Sequence, residues 1–383
     1  MSWPLVRLGD VVAIDTRMVA PESIREGTSY IGLESIGAGG AIDESVMVAA
    51  GELKSAKFAY DERHILFGKL RPNLGKVARP SKVGVCSTDI LPLLPSEKLD
   101  RNYLAHFLLT PASIALAASR TSGANLPRLT GGVLKTFEIP LPPLPEQRRI
   151  ASILDAVDSL RVARRKALRE VNRLPGEVFD QLFGPEVLNV PIRDLGDLVA
   201  EGTSVTYGIV QAGPEAPGGV PYIRTGDIVE GGIRLAGLRL TSPEIASRFP
   251  RSTVRAGEIV MSIRATVGTT ALVPEELDGA NLTQGTARIA PGPNLEAVYL
   301  LGFLRSRQAQ AWIRAQVKGA TFREITLGRL RELPVPVPHR DLQRRYVRDF
   351  ELIQSAKCAH ESQLVKLDEL FASLQYRAFR GEL

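Results

Sequence analysis

The sequence predicts an α+β chain: two similar domains separated by two long antiparallel helices forming a coiled coil. Three observations predict it. The chain repeats itself, each repeat opens with short β-branched runs, and each repeat closes on a heptad-patterned helix. Its 383 residues suit two domains rather than one. A composition of 44% hydrophobic and 23% charged residues excludes a disordered or fibrous chain.

The repeat is collinear. Trp3-Pro-Leu-Val-Arg-Leu-Gly-Asp returns as Val190-Pro-Ile-Arg-Asp-Leu-Gly-Asp, and Tyr30-Ile31 as Tyr222-Ile223. Ile65-Leu-Phe-Gly-Lys-Leu-Arg71 matches Ile259-Val-Met-Ser-Ile-Arg264 with one gap. Tyr103-Leu-Ala-His-Phe-Leu returns as Tyr299-Leu-Leu-Gly-Phe-Leu, Ser122-Gly-Ala-Asn-Leu-Pro-Arg128 as Lys318-Gly-Ala-Thr-Phe-Arg-Glu324, and Gln147-Arg-Arg as Gln343-Arg-Arg. The expected division is 1–145 and 183–338 for the two domains, with long helices at 146–182 and 339–383.

In each half, β-branched runs bounded by Gly and Pro read as strands: 30–36, 64–70 and 90–94, then 222–228, 258–263 and 286–289. Helices are expected at 101–109 and 295–314. Pro-rich straps follow at 139–145 and 333–338, extended because proline fixes φ. Pro145 and Glu146 signpost the first long helix, and Pro175-Gly176 is expected to end or kink it.

The long helices carry matching seams in steps of three and four. In the first, Ile150, Leu154, Val157, Leu168 and Val171 lie on the stripe. In the second they are Phe350, Ile353, Leu364, Leu367, Phe371 and Leu374. Arg161 and Arg164, and Lys357 and His360, interrupt the stripes at the same place, with no acid on the seam to answer them. A second apolar edge, Ile153, Leu160, Ala167 and Leu174, calls for a further protein neighbour.

The balance of 48 Lys and Arg against 42 Asp and Glu leaves a net charge of +6, which permits a polyanionic partner. Arginine supplies 37 of the cations, as a GC-rich genome would also produce. Cys86 and Cys358 form neither a disulfide framework nor a zinc pattern. The opening residues lack an apolar leader core. His106, Thr110, Pro111 and Ser113 break the most apolar stretch, so no membrane span and a cytoplasmic location are expected.

Catalytic signatures are missing from the sequence. It has no phosphate-binding P-loop and no (Asp/Asn)-Pro-Pro-(Tyr/Phe) of an adenine-N6 methyltransferase. Asp89, Glu62 and Lys69 can be drawn as a nuclease triad, but the second half lacks the set. The alternatives are therefore a nuclease with a hidden acidic site and a coiled-coil adaptor that binds no DNA.

Groups suited to DNA recur in both halves. Lys69, Arg71, Asn73, Lys76 and Arg79 gather about one strand end, with Asn125 and Arg128 on a Gly loop. In the second half the candidates are Arg224, Thr225, Arg264 and Thr266, with Lys318, Thr321 and Arg323 on the matching loop. Arginine can fork onto guanine and asparagine onto adenine, whereas lysine mostly positions phosphates.

The element Ile139-Pro-Leu-Pro-Pro-Leu-Pro-Glu-Gln-Arg-Arg-Ile-Ala-Ser-Ile-Leu-Asp155, with the Leu-Gly-Asp openings at 8–10 and 195–197, resembles specificity subunits of type I restriction–modification systems. The resemblance spans nearly the whole chain. The second strap departs from the pattern: Pro338-His-Arg-Asp-Leu-Gln lacks Pro-Glu before Gln343. The resemblance implies a non-catalytic subunit with two target-recognition domains, each reading half of a split site in double-stranded DNA. It also implies that two methyltransferase subunits and restriction subunits are the partners. S-adenosylmethionine, ATP and Mg would be used by those partners, with no cofactor or metal bound by this chain.

Overall fold

The computed structural model describes the chain except for residues 1, 2, 44, 45, 50, 124, 185–189, 230 and 320–322. It divides into two compact units: Met1–Arg164 with Gln363–Leu383, and Arg165–Ser362. Both divisions fall inside long helices, so each unit holds one β-rich region and a stretch of each helix.

In the first unit, an antiparallel sheet runs in the order Val12–Ile14, Ile90–Pro95, Ile65–Gly68, Val77–Ala78. A second sheet, ordered Met18–Val19, Lys57–Tyr60, Gly84–Cys86, Ser29–Ile31, ends on a parallel pair. Alternation along Ile65–Gly68 feeds two cores. Ile65 and Phe67 join Tyr103 and Leu104, while Leu66 joins Ile31, Tyr60 and Ile90. The second unit repeats this device: Ile259 and Met261 face Tyr299 and Leu300, and Val260 faces Ile223 and Leu282. Its main sheet is ordered Thr206–Tyr207, Thr286–Ile289, Ile259–Ser262, Thr270–Leu272.

Several elements are shorter than the sequence patterns suggest. The run at 30–36 is a strand only over Ser29–Ile31. The run at 222–228 stops at Ile223, because the Asp227 carboxylate accepts the Arg224 N–H and closes a turn. The helix expected at 295–314 is two, Ala297–Arg305 and Arg307–Gln316; Ser306 is extended between them and caps the second through Ala309 N–H. Arg101–Leu108 likewise has a successor, Pro111–Ser119, started by the Thr110 cap and Pro111 in the first turn.

The Pro-rich straps are pinned identically in both units. Glu138–Pro140 pairs with Leu5–Arg7, and Pro334–Pro336 with Ile192–Asp194. Buried Gln147 accepts the Asp100 N–H at 2.7 Å and donates to the carbonyls of Pro142 at 2.8 Å and Lys98 at 3.0 Å. Gln343 does the same with Glu296 N–H, Pro338 O and Asn294 O. Tyr103 and Tyr299 complete the clamp by donating to Pro140 O and Pro336 O. The Leu-Gly-Asp openings have a steric reason: a Cβ on Gly9 would sit 3.0 Å from Lys135 Cβ, and one on Gly196 3.2 Å from Arg331 Cβ.

The long helices are Leu144–Phe183 and Arg340–Ala378. Every seam position named above is at least half-buried. Within the first unit the pairing is antiparallel, since Arg161 meets Asp368 and Arg149 donates to Leu383 O. The interruption of the seam by cations is answered by acids flanking the stripe. Arg161 bonds Asp368 at 2.6 Å and Asp158 at 2.7 Å and lies 4.3 Å over the Phe371 ring, and Lys357 approaches Glu361 at 3.9 Å.

The first long helix does not end at Pro175. An interior proline costs about 3 kcal/mol through its missing N–H and ring clash. Here the next two turns bury Phe179 and Phe183 against Tyr299 and Tyr346, a larger gain. The Tyr346 hydroxyl also donates to Pro175 O at 3.2 Å.

Gln147→Leu should destabilise the first unit by about 2–4 kcal/mol, because it strands buried backbone groups at both ends of the clamp. Denaturant unfolding measures this, and loss of less than about 1 kcal/mol would show that the clamp is dispensable.

Candidate nucleic-acid interface

In both units the end of a core strand meets a Gly loop through the same backbone bonds. In the first, Leu70 bridges Arg128, with Arg71 N–H donating to Pro127 O and Leu129 N–H to Lys69 O. In the second, Arg264 bridges Glu324, with Ala265 N–H donating to Arg323 O and Ile325 N–H to Ile263 O. Each loop closes on itself by a two-way pair, Ser122 with Arg128 and Lys318 with Glu324.

The residue that turns the chain at this junction is left-handed in both units. Arg71 has φ 50° and Ala265 φ 57°, and they are the only non-glycine residues with positive φ among those described. Such a conformation costs about 1–2 kcal/mol per residue, and its recurrence at one structural position marks the junction as a place where shape outranks stability.

The candidate residues divide into outward and inward groups. Arg71, Asn73, Asn125, Lys318 and Arg323 are exposed, and Lys69 is half-buried on the strand end. Asn73 sits in the single turn Pro72–Leu74, and Thr266 lies within 3.2 Å of Ser262 Oγ. Arg128 and Arg264 each touch a carboxylate across the junction, Asp89 and Glu324 respectively. Three candidates are instead committed within the fold. Lys76 donates to Leu33 O at 2.5 Å, Arg79 to Asp155 at 2.6 Å, and Arg224 forks onto Asp227 at 2.8 and 2.9 Å. Thr225 stands in the turn that Arg224 and Asp227 close. Thr321 lies outside the described residues.

The electrostatics follow from these contacts. Burial alone would raise the Asp155 carboxyl, but hydrogen bonds from His106 at 2.8 Å and Arg79 hold it below its ordinary value. The same competition, won by Arg224, lowers Asp227. Asp89, drawn above as part of a nuclease triad, is occupied by Arg128. Among the described residues no three His, Cys, Asp or Glu side chains gather as a metal site, and no helix is long and apolar enough to cross a membrane.

The backbone bonds place Arg128 opposite Glu324 and Pro127 opposite Arg323, in the register of the aligned loops, whose seventh residue is Arg in one and Glu in the other.

The family described as type I restriction modification DNA specificity domain matches residues 2–172 and again 188–356. The chain is 27% identical over 333 residues to the type I restriction enzyme EcoBI specificity subunit of Escherichia coli, covering 78% of this chain and 68% of that one. It is 22% identical to the MjaVIII specificity subunit of Methanocaldococcus jannaschii, covering 90% and 84%. Its fold is similar to that of a chain solved in a study of assembly and conformational transition of the type I R-M system. That match has a TM-score of 0.62 at 22% identity and covers 100% and 98% of the two chains.

Two outcomes are expected from this geometry. Ala265→Gly should raise the stability of the second unit by about 0.5–1 kcal/mol in chemical denaturation, as relief of left-handed strain outweighs added chain entropy. Asp155→Asn should lower stability at neutral pH by about 1–3 kcal/mol, since Arg79 and His106 lose a charged acceptor. The Asp155 contribution is complete above its ordinary value of 3.8 and disappears as pH falls through the lower folded value. The variant's stability should therefore decline less steeply than the parent's in acid, and parallel acid limbs would count against the assignment.

Proposed function

The chain belongs to the type I restriction modification DNA specificity family, and we propose that it reads a bipartite, asymmetric duplex sequence, one half-site with each domain. It is the DNA-recognition subunit of a type I restriction–modification complex and not the catalyst; methyl transfer and cleavage belong to partner subunits. One observation carries the two-half-site reading. The same strained junction is built twice, yet it carries Leu70 and Arg128 in one domain and Arg264 and Glu324 in the other. Equal scaffolds with unequal donors and acceptors suit unequal base sequences.

The partners are an adenine-N6 methyltransferase subunit, in two copies, and restriction subunits that use ATP and Mg. The methyltransferase supplies S-adenosylmethionine chemistry, and the complex works in the cytoplasm. Apolar side chains on the outer faces of the long helices support docking there: Leu160 is 57% exposed and Leu352 70%. The long helices serve as the ruler between half-sites.

Mapping methylated adenines in cells that carry the chain with its methyltransferase should give one asymmetric motif split by a spacer of fixed length. A symmetric motif, or unsplit sites, would refute the two-half-site reading. Four helix-forming residues added after Arg164 and after Ser362 rise about 6 Å and turn about 400°, so the seam nearly keeps its facing. The spacer should lengthen by about one or two base pairs, at 3.4 Å each, with both half-sites unchanged. An active variant with the parental spacer would show that the helices are not the ruler.

A further inference from the structure

The two junctions carry the same ion pair with its signs exchanged. In the first domain the guanidinium is on the Gly loop and the acid on the hairpin: Arg128 Nε donates to Asp89 Oδ1 at 3.1 Å. Asp89 is itself held in place by the Lys69 N–H on its carbonyl. In the second domain the guanidinium is on the strand end and the acid on the loop: Arg264 Nη2 donates to Glu324 Oε1 at 3.1 Å. Because Arg264 and Glu324 bridge directly, as Leu70 and Arg128 do, the arginine has moved across the bridge from one domain to the other.

Asp89 takes the Nε–H of Arg128, while Glu324 takes an Nη2 hydrogen of Arg264 and leaves its Nε unpaired. Each guanidinium keeps further N–H donors, and its planar fork can meet two acceptors at once. Both arginines remain part-exposed, with side-chain accessibilities of 44% for Arg128 and 41% for Arg264. Arg264 Nε is enclosed without a partner, so its present pose leaves a donor unmet and has something to gain by adjusting. A carboxylate beside the guanidinium weakens its attraction for a phosphate by like-charge repulsion. It costs little with a neutral base edge, and it fixes the fork's plane. Guanine offers the matching pair of acceptors, O6 and N7, in the major groove.

We propose that Asp89 and Glu324 are positioning residues that present Arg128 and Arg264 to one guanine in each half-site. Arg323, which replaces Pro127 at the junction and has no carboxylate partner among the described residues, contacts phosphate. The proposal rests on the DNA-reading function above and names the residues that carry it.

The test uses the full chain assembled with its methyltransferase. Methylation motifs and duplex binding are measured for Arg128→Lys, Asp89→Asn, Asp89→Glu, Arg264→Lys, Glu324→Gln and Arg323→Ala, with thermal midpoints as the control for folding. Arg128→Lys should reduce preference for guanine at one position of one half-site by at least about tenfold. Asp89→Asn should relax the same position alone, by about three- to tenfold, and Asp89→Glu should restore it. Arg264→Lys and Glu324→Gln should act together on one position of the other half-site. Arg323→Ala should weaken all duplexes alike and reduce the salt dependence of binding. The unaltered complex should also lose affinity for duplexes carrying 7-deazaguanine, which lacks N7, at those two positions. That measurement stands even if a variant fails to fold.

The inference is overturned if the relaxed positions are not guanine, if the lysine variants weaken every sequence evenly, if 7-deazaguanine is tolerated, or if the Asn and Gln variants keep full guanine preference. A bipartite motif without guanine in either half would sink this inference while leaving the two-half-site function intact. Absence of any sequence-specific methylation by the unaltered complex would sink both.

Discussion

The structure depends on one hydrogen-bonded clamp made twice. A Pro-rich strap can donate few backbone hydrogen bonds, so it needs carbonyl acceptors met from elsewhere. Gln147 and Gln343 meet them, and each also receives the N–H at the start of the short helix at the domain's edge. A glutamine suits this place because its amide both donates and accepts, and neither function requires a buried charge. Through this clamp the strap, the short helix and the start of the long helix become one rigid piece. The strand end and Gly loop are then fixed against the same core, which is what allows a left-handed turn to persist at their junction.

Around that shared frame the two domains are filled differently. His106 lies on the edge helix of the first domain and bonds Asp155, whereas the matching residue in the second is Gly302. A side chain there would collide with Phe179, since a Cβ would come within 2.6 Å of its ring. The first domain solves the corresponding space with Gln375, which donates to His106 O. One core is closed by stacked aromatic rings and the other by a polar chain ending in a guanidinium. A large ring opposite a glycine in one domain is answered by a smaller amide opposite a histidine in the other, so the same position is filled by different chemistry.

Much of this was legible in the sequence because periodic patterns survive divergence. The heptad stripes at 150–182 and 346–378 mark the half-buried face of both helices position by position. The failures are local and have physical causes. The first helix does not end at Pro175: proline's cost is visible in sequence, while the Phe179 and Phe183 burial that overrides it is a tertiary gain. The single helix expected at 295–314 hid the Ser306 cap, whose hydroxyl matters only once the backbone turns. Among the DNA candidates, Lys76, Arg79 and Arg224 resemble free loop cations in sequence. Their acceptors, Leu33 O, Asp155 and Asp227, are recognisable only in space or at short range. The acids that answer Arg161 flank the stripe rather than occupy it, so the heptad pattern alone does not reveal them.

The end of each long helix supplies a plug for a domain core. Phe183 packs on Tyr299 at 4.9 Å between ring centroids, and Phe379 packs on Tyr103 at 5.0 Å. The two plugs occupy corresponding places in the repeat, as do the two tyrosine sockets. A fragment comprising only the first half therefore possesses both a plug and a socket of the same kind, but has lost the plug that filled its own socket. Neither core is closed by its own repeat alone: the first is plugged by the helix that follows the second domain, and the second by the helix that precedes it. The halves of the chain are bound to each other's integrity even where their surfaces have diverged.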